Sequence, residues 1–361
     1  MTTYLGLDVH AKKTVFMAQD EDGKMLYRGD IMTSRKGFEE LFRKLGGELG
    51  IKVGLESGTQ AFWASEELAD LGFQPYVINA GEVRAKSRRP NQKSDSRDAF
   101  DICDGLRRDL YVSRIYVPSK KVRRLRKLIQ QRRFYVRGMT ANVSSTKSIF
   151  RGEGIRANDT LGTAVAWKEF ISGCPDPFFR KLVKMHFRIW KQLSEEVRRL
   201  DKQVKELAIK CFGGVYDRMQ TIPGVGPVVA ATFLSVIADP ARFEQSGQVI
   251  SYLGLSPSTW DSGDRVRHGP ITKRGSSEGR SMLVESAQQS CRPAHPLHPY
   301  FTRVMAKHNY NKAMVCVAQR LARIMWRMWI EGEDFNVEKL NIVPIKHEKK
   351  VKKHWKIAKA G

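Results

Sequence analysis

Two carboxylates three residues apart open the stretch KSDSRD at residues 93–98. If a helix begins here, Asp95 and Asp98 project to one side of it. Neighbouring carboxylates repel each other unless a cation lies between them, so this spacing indicates a site for a positive ion. A simpler interpretation is that Ser94 or Asp95 caps the helix while Asp98 interacts with its positive N-terminal end.

Two further acids stand at the ends of short apolar segments upstream. Asp8 belongs to YLGLDV at residues 4–9, and Glu56 ends VGLE at residues 53–56. Both segments have the composition of strands, so each delivers an acid where a strand meets its loop. The sequence therefore predicts a cluster of four acids, Asp8, Glu56, Asp95 and Asp98.

Two more acids continue the three-residue spacing along the same predicted helix. Each step of three residues rotates a side chain about 60° around a helix, so Asp101 and Asp104 turn progressively away. Asp104 then lies opposite Asp95. We expect Asp95 and Asp98 to be the pair that faces the strands.

The segments that must position these acids alternate between the two kinds of regular structure. Strands are predicted at 5–9, 14–18, 25–31, 53–56 and 76–79, and helices at 35–45, at 61–71 and from Asp95. Three hairpin-connected strands followed by helix, strand, helix, strand and helix is the order of an RNase H-like fold. The first part of the chain is thus predicted to be an α/β domain.

The net charge points to a polyanionic partner. The 361 residues carry a formal charge of +25, and nucleic acid is the expected partner of so basic a protein. The longest apolar run, residues 225–238, contains a proline and is too short to span a membrane. With no signal peptide at residues 1–6 and five scattered cysteines, a cytoplasmic protein without disulfides or a zinc site is expected.

Residues 110–150 contain no acid and eleven lysines or arginines. Val122, Leu125 and Ile129 keep one side of the predicted helix apolar. A merely solvated helix surface usually mixes charge signs, so this segment favours a nucleic-acid-binding face. The candidate contacts are Arg123, Arg124, Arg126, Lys127, Arg132 and Arg133.

The middle of the chain changes character twice. Glycines and prolines in residues 151–177 predict a broken connector. After it, apolar residues recur at alternating spacings of four and three, as in a short coiled-coil seam: Leu193, Val197, Leu200, Val204, Leu207 and Cys211. The seam is short enough to pack either against another copy of the chain or within the same chain.

Residues 221–231, TIPGVGPVVAA, have the form of the hairpin in a helix-hairpin-helix element. Gly224 and Gly226 would let the backbone approach a phosphate, and the start of the next helix would aim free N–H groups at it. The alternative is an ordinary Gly-Pro turn between core helices. Further on, residues 312–331 predict an amphipathic core helix and residues 341–361 a lysine-rich tail.

Ser262 lies in the stretch STWDSGD at residues 258–264, followed by a basic segment. A serine in a tight turn among arginines could attack a phosphodiester, although a Ser-Gly turn taken alone is usually only a turn. The basic residues that could contact DNA or stabilise developing charge are Arg265, Arg267, Lys273 and Arg274. Which arginine would assist the serine stays open.

Taken together, these motifs resemble the DEDD transposases of the insertion-sequence one-ten family. This family is related to the Piv invertases, and some of its members are bridge-RNA-guided recombinases. The resemblance runs nearly end to end and rests on LGLD (5–8), LESGT (55–59), VINA (77–80), KSDSRDA (93–99), IPGVG (222–226) and WDSG (260–263). Two departures are that residues 151–180 are longer and more irregular than the family linker, and that Ser94 and Ser96 stand where threonine is common.

The resemblance carries expectations for the site. The four family acids fall on Asp8, Glu56, Asp95 and Asp98 in a RuvC-like domain, and the nucleophilic serine falls on Ser262 in a C-terminal transposase domain. It implies one or two Mg²⁺ ions, a phosphoserine link to cleaved DNA, and strand exchange through a Holliday junction.

The expected organisation has four parts. Residues 1–150 form the RuvC-like domain with a basic helical extension, 151–212 a helical linker with the coiled coil, 213–340 a mostly helical transposase domain with the helix-hairpin-helix-like element, and 341–361 a basic tail. The expected partners are double-stranded DNA, a bridge RNA and further copies of the chain as a dimer or tetramer, with no membrane.

Two other functions stay open. A RuvC-like metal-dependent nuclease or Holliday-junction resolvase would use water, with Ser262 structural. A non-catalytic nucleic-acid-binding protein is supported by the charge alone.

Overall fold

The structure is a computed structural model that describes residues 2–47, 49–87, 94–154, 161–262 and 265–340. For residues 261–262 and 265–268 it describes the backbone alone. The chain divides into two compact units, Met1–Pro118 and Ser119–Gly361. The acid-free helix, which begins at Lys120, belongs to the second unit.

The first unit is built on a five-stranded sheet with strand order β3-β2-β1-β4-β5. Strands β1 to β3 are antiparallel neighbours, while β4 and β5 continue the sheet parallel to β1. Its elements are β1 (Tyr4–Val9), β2 (Lys13–Gln19), β3 (Met25–Met32), α1 (Arg35–Lys44), β4 (Lys52–Glu56), α2 (Ala61–Asp70), β5 (Gln74–Ile78), α3 (Ala80–Lys86) and α4 (Asp95–Arg107). The predicted RNase H-like order of strands and helices is confirmed.

Alternation along β1 divides the residues of the strand between two helical layers. Leu5 and Leu7 are fully buried in a core that also holds Phe38 of α1 and Leu68 of α2. Since successive side chains of a strand point to opposite faces, Gly6 and Asp8 belong to the other face. That face packs against α4.

Two glycines let α4 lie directly on the sheet. Gly6 of β1 and Gly54 of β4 are register partners. A Cβ atom at Gly6 would overlap the carbonyl oxygen of Ala99 and lie 2.5 Å from the backbone nitrogen of Cys103. A Cβ atom at Gly54 would lie 2.7 Å from a side-chain methyl of Ile102. The absence of side chains at these two positions therefore sets the depth at which α4 sits.

The second unit is mostly helical, with one two-stranded antiparallel ribbon. Its helices and strands are α5 (Lys120–Gly152), α6 (Ala164–Ser172), α7 (Pro177–Phe212), α8 (Gly214–Met219), α9 (Pro227–Ile237), α10 (Ser246–Tyr252), β6 (Pro257–Ser262), β7 (Arg265–Ile271), α11 (Ser277–Ala287), α12 (His298–Lys307) and α13 (Tyr310–Glu331). Short 3-10 helices occupy Pro240–Arg242, Gln288–Cys291 and Glu338–Leu340. The described helices include none with the length and apolar character needed to cross a bilayer.

The predicted coiled-coil seam packs within the chain. Helix α7 lies against α5, and Leu200 and Val204 of the seam are buried. A polar pair joins the two helices: buried Asn142 donates to the carbonyl oxygen of half-buried His186 at 2.7 Å, and the amide oxygen of Asn142 meets Nδ1 of the same histidine. Arg132 of α5 also donates to Asp201 of α7. Of the two alternatives for the seam, the structure therefore shows the intramolecular one.

The prediction of a broken connector was wrong for Ala164–Ser172, which forms helix α6. Thr163 caps this helix by accepting a hydrogen bond from the backbone of Ala166. Trp167 is fully buried beside Phe150 and Trp190 in a separate aromatic core. The glycines and prolines around α6 concealed a helix that this core holds in place.

The predicted core helix is present as α13, with Ala318, Leu321 and Met325 buried at its centre. A cap by Asn309 begins it and Gly332, in the left-handed conformation, ends it. The ribbon β6–β7 is a feature that the sequence analysis did not predict. It holds Ser262 at the last position of β6, paired with Arg265 of β7.

Candidate functional site

The predicted acids of the first unit lie at one end of its sheet. Asp8 is the penultimate residue of β1 and Glu56 is the last of β4. In the ladder between these strands Leu7 pairs with Leu55, so each acid directly follows a paired leucine. Asp95 and Asp98 occupy the first turn of α4, which packs on the same face as Asp8. Strand register and helix packing thus bring the candidate acids toward one place.

Ser94 precedes α4 as its N-cap residue, but its side chain makes no capping hydrogen bond. A side-chain cap by Ser94 is therefore absent, while Asp95 and Asp98 both lie in the first turn, where the positive end of the helix stabilises a carboxylate. Lys93, the first residue of the motif, lies outside the described residues.

His10 joins the acids, which the sequence analysis did not predict. Its Nε2 atom lies 3.0 Å from Oδ2 of Asp8 and 3.5 Å from Oδ1 of Asp95. One ligand atom from each of Asp8, His10 and Asp95 lies within 4.8 Å of the others. His10 follows the last residue of β1 and belongs to the turn to β2, so strand alternation alone did not indicate it.

The electrostatics of Asp8 reflect this crowding. Burial raises the pKa of Asp8, His10 lowers it, and the carboxylates of Asp98 and Asp95 raise it further. A carboxylate that is both partly desolvated and beside like charges is stabilised by a cation.

The donor atoms present fit a divalent cation. Carboxylate oxygens are the ligands that Mg²⁺ prefers, and an imidazole nitrogen extends the set toward transition metals. Asp8, Asp95 and His10 supply three of these atoms directly. Glu56, the last residue of β4, and Asp98, in the same first turn of α4 as Asp95, are not part of this three-residue group in the described structure.

The two later acids of α4 have other partners. The hydroxyl of Ser87 donates to Asp101 at 2.6 Å. Asp104 is buried and forms ion pairs with Arg107 at 2.7 Å and Arg108 at 3.5 Å. This agrees with the rotation expected from the three-residue spacing, and separates Asp95 and Asp98 from the rest of the acidic run.

Residues predicted around the serine lie in the second unit. The side chains of Ser262, Arg265 and Arg267 are outside the described part of the chain. Lys273 and Arg274 are exposed in the loop after β7, and Lys273 has a positive φ of 55°. This loop packs closely against Gly254, where a Cβ atom would lie 2.6 Å from the carbonyl oxygen of Arg274.

The predicted nucleic-acid contacts on α5 divide into two groups. Arg124 and Lys127 are exposed, whereas Arg123 is half-buried. Arg126 donates to the carbonyl oxygens of Ser235 and Val236 at 2.8 and 3.1 Å, near the end of α9. A cation beside the last carbonyls of a helix stabilises that end, so Arg126 has a structural role.

Arg132 and Arg133 also form hydrogen bonds with side chains of other helices. Arg132 donates to Asp201, and Arg133 donates to the hydroxyl of Ser281 at 3.3 Å. Periodicity showed that α5 has an apolar side, but the partners of its half-buried arginines lie on α7, α9 and α11, far away in the sequence. Arg124 and Lys127 are therefore the predicted residues on α5 whose side chains extend into solvent.

The glycine hairpin joins α8 to α9. Gly224 has a positive φ of 81°, and its carbonyl oxygen accepts a hydrogen bond from Ser286 at 2.7 Å. Gly226 is the N-cap of α9, and open space surrounds the position of its absent Cβ atom. The element is therefore a helix, a tight turn and a second helix with the backbone open at Gly226, and because most of α9 is buried it fits both the predicted hairpin and the alternative of a turn between core helices.

Two family profiles match the chain, one in each part. The profile DEDD_Tnp_IS110, described as a transposase, matches residues 5–152. The profile Transposase_20, described as "Transposase IS116/IS110/IS902 family", matches residues 216–301. The first match contains Asp8, Glu56, Asp95 and Asp98, and the second contains Ser262.

Curated relatives match over most of their length. The "Transposase for insertion sequence element IS1111A" of Coxiella burnetii is 22% identical over 92% of this chain and 90% of its own. The "Probable family 20 transposase" of Pseudomonas aeruginosa is 24% identical over 90% of this chain and 96% of its own. The "Transposase for insertion sequence element IS1328" of Yersinia enterocolitica is 24% identical over 79% of this chain and 85% of its own.

The profiles, the relatives and the fold agree. An RNase H-like sheet with acids at one end of its central strands is followed by a helical region that the second profile matches. The chain belongs to the IS110/IS116/IS902 family of insertion-sequence transposases, with an N-terminal DEDD domain and a C-terminal Transposase_20 region.

Proposed function

We propose that this transposase is a site-specific DNA recombinase that cleaves and exchanges strands through a phosphoserine intermediate and a Holliday junction. Its acid group comprises Asp8, Glu56, Asp95 and Asp98 and holds Mg²⁺, and Ser262 is the nucleophile. The observation that carries the proposal is the convergence of Asp8 and Asp95 at one end of the sheet. Nε2 of His10 lies 3.0 Å from the carboxylate of Asp8 and 3.5 Å from that of Asp95.

The acid group would prepare the phosphate for attack. Asp8 and Asp95 would hold the cation, with Asp98 and Glu56 adding negative charge around it. When bound, such a cation neutralises charge on the scissile phosphate and polarises its phosphorus–oxygen bonds. Asp8 is suited to this role, because its burial and its acidic neighbours already disfavour the ionised carboxylate without a partner of opposite charge.

The serine would make the covalent link. Oγ of Ser262 attacks phosphorus and loses its proton, while the bond from phosphorus to the leaving deoxyribose oxygen breaks and that oxygen takes up a proton. The new ester conserves the energy of the broken bond, so a free hydroxyl of the partner strand can attack phosphorus and release the serine. The two ester-exchange steps therefore need no nucleotide hydrolysis.

Trapping the link tests the proposal. With DNA that carries the ends of the insertion sequence, denatured reactions should contain a covalent protein–DNA adduct. Ser262→Ala should give no adduct, because no other atom replaces Oγ. Ser258→Ala, which alters a serine four residues earlier in the same strand, is the matched control and should still give one.

Two outcomes of this experiment would contradict the proposal. A wild-type reaction that cleaves DNA without an adduct would support the alternative, a RuvC-like nuclease that uses water. An adduct that persists in Ser262→Ala would exclude this serine as the nucleophile.

We also propose that a bridge RNA guides the reaction and that α5 contacts it. The support is charge: α5 exposes Arg124, Lys127 and Arg137 and contains no acid. Because phosphate contacts displace counterions, binding through such a face falls steeply with salt. RNA that remains with the purified protein should therefore match the ends and the target of the element when it is sequenced.

The double variant Arg124→Glu, Lys127→Glu should weaken binding of this RNA and lower the slope of log affinity against log salt. Each lost phosphate contact to a single strand removes about 0.7 from that slope, so the pair should remove about 1.4. The control is Lys184→Glu, Lys191→Glu, which changes the charge equally on exposed positions of α7. Equal losses in both double variants would contradict a specific role for α5.

A further inference from the structure

The imidazole of His10 occupies the space between two carboxylates of the acid group. Its Nε2 atom is 3.0 Å from Asp8 and 3.5 Å from Asp95. The side chain of Asp8 is 14% exposed, whereas those of His10 and Asp95 are 49% and 57% exposed. The group is therefore anchored on its buried side by Asp8 and open to solvent on the side of His10 and Asp95, where an ion can enter.

These separations match the edges of a coordination octahedron. Bonds of about 2.1 Å place neighbouring ligand atoms about 3.0 Å apart and opposite ones about 4.2 Å apart. The distance from His10 to Asp8 equals a neighbouring edge, and the distance from His10 to Asp95 is between the two values. The three ligand atoms all lie within 4.8 Å of one another, so their widest separation exceeds the octahedral maximum by about 0.6 Å at most.

Backbone position reinforces the geometry. Gly6, Asp8 and His10 follow one another at every second residue, and the backbone N–H of His10 donates to the carbonyl oxygen of Lys13 at 3.1 Å in the turn to β2. The turn thus holds His10 on the face that carries Asp8. A flexible surface histidine would have no such constraint.

We propose that His10 is a nitrogen ligand of the divalent cation in this site, and that it makes the site favour first-row transition ions over Mg²⁺. The proposal rests on the proposed function of the acid group as a cation site. Mg²⁺ takes oxygen ligands, whereas imidazole nitrogen binds transition ions in the order Mn²⁺ below Fe²⁺ below Co²⁺. An all-carboxylate site would follow the same order with smaller differences between the ions, so the nitrogen enlarges the preference.

A second role for His10 would give a different pattern. As a hydrogen-bond donor to Asp8 outside the coordination sphere, the imidazole would orient the carboxylate and affect every divalent ion alike. As a ligand, it contributes in proportion to the affinity of each ion for nitrogen. Comparing ions therefore distinguishes the two roles without any measurement of activity.

The deciding experiment is pulsed electron paramagnetic resonance of the full-length protein with one Mn²⁺ bound. The wild type should show hyperfine coupling to one directly bound nitrogen. His10→Gln should lose that coupling, and His308→Gln, which alters an exposed histidine in the other unit, should keep it. A wild-type spectrum without nitrogen coupling overturns the proposal even if His10→Gln folds poorly.

Calorimetric titration adds the comparison among ions. His10→Gln should weaken Co²⁺ binding by about 10-fold or more, Mn²⁺ binding less, and Mg²⁺ binding least. Equal losses for the three ions would assign the orienting role and overturn the ligand. The proposed function fails separately: if Asp8→Asn binds Mn²⁺ as the wild type does, the acid group is not the cation site at all.

Discussion

Asp98→Asn should reduce DNA strand cleavage on the order of 1000-fold, because the proposed site loses a carboxylate that would help to hold the cation, and the cation neutralises the phosphate. The carboxylate of Asp98 is near enough to Asp8 to raise its pKa. An amide keeps the size of the side chain but cannot balance a cation. The measurement is the initial rate of cleavage of DNA carrying the ends of the element, at several concentrations of Mg²⁺.

Asp101→Asn is the matched control on the same helix. Asp101 lies three residues further along α4 and accepts a hydrogen bond from Ser87, which an asparagine oxygen can also accept. We expect this variant to retain most of the activity. If both variants lose activity equally, the cause is damage to α4 rather than loss of a ligand, and if Asp98→Asn remains fully active, Asp98 does not belong to the site.

Gly6→Ala should destabilise the first unit and abolish cleavage together. The new methyl group would overlap the backbone of α4 at Ala99 and Cys103, and backbone atoms cannot rotate aside. Forcing the helix outward costs about 1–3 kcal/mol or more in overpacked cores, and it also displaces Asp95 and Asp98 from Asp8. Thermal unfolding followed by calorimetry, with cleavage measured in parallel, would show both effects.

Alanine substitutions at two other glycines serve as controls for Gly6→Ala. Gly54→Ala meets a methyl of Ile102 instead of backbone, so it should be milder than Gly6→Ala. Gly247→Ala lies in helix α10 with nothing near its Cβ position, and should be neutral or slightly stabilising. A Gly6→Ala protein as stable and active as Gly247→Ala would show that α4 does not need to approach β1 so closely.

Local patterns were sufficient for much of the first unit. Alternating apolar residues predicted the strands, and strand ends predicted where Asp8 and Glu56 would stand. The three-residue spacing correctly separated Asp95 and Asp98 from Asp104, whose partners are Arg107 and Arg108. These features depend on periodicity within one segment, which the sequence contains in full.

Other features depend on contacts between distant segments. Arg126 resembles its basic neighbours in sequence, yet it faces the end of α9, more than a hundred residues away. Helix α6 is held by the burial of Trp167 against α5 and α7, whereas the glycines that flank it predicted an irregular connector. His10 was missed for another reason, because it follows the strand in what reads as a turn.

The hydrogen bonds between buried Asn142 and half-buried His186 have a consequence for the long helices α5 and α7. Two helices of 33 and 36 residues with apolar seams can slide past each other by a whole heptad while still burying leucines. These hydrogen bonds require one alignment of the helices, so a slipped arrangement would leave the buried amide of Asn142 without them. Asn142 and His186 thus favour one registry of α5 and α7, and that registry sets which arginines of α5 are exposed.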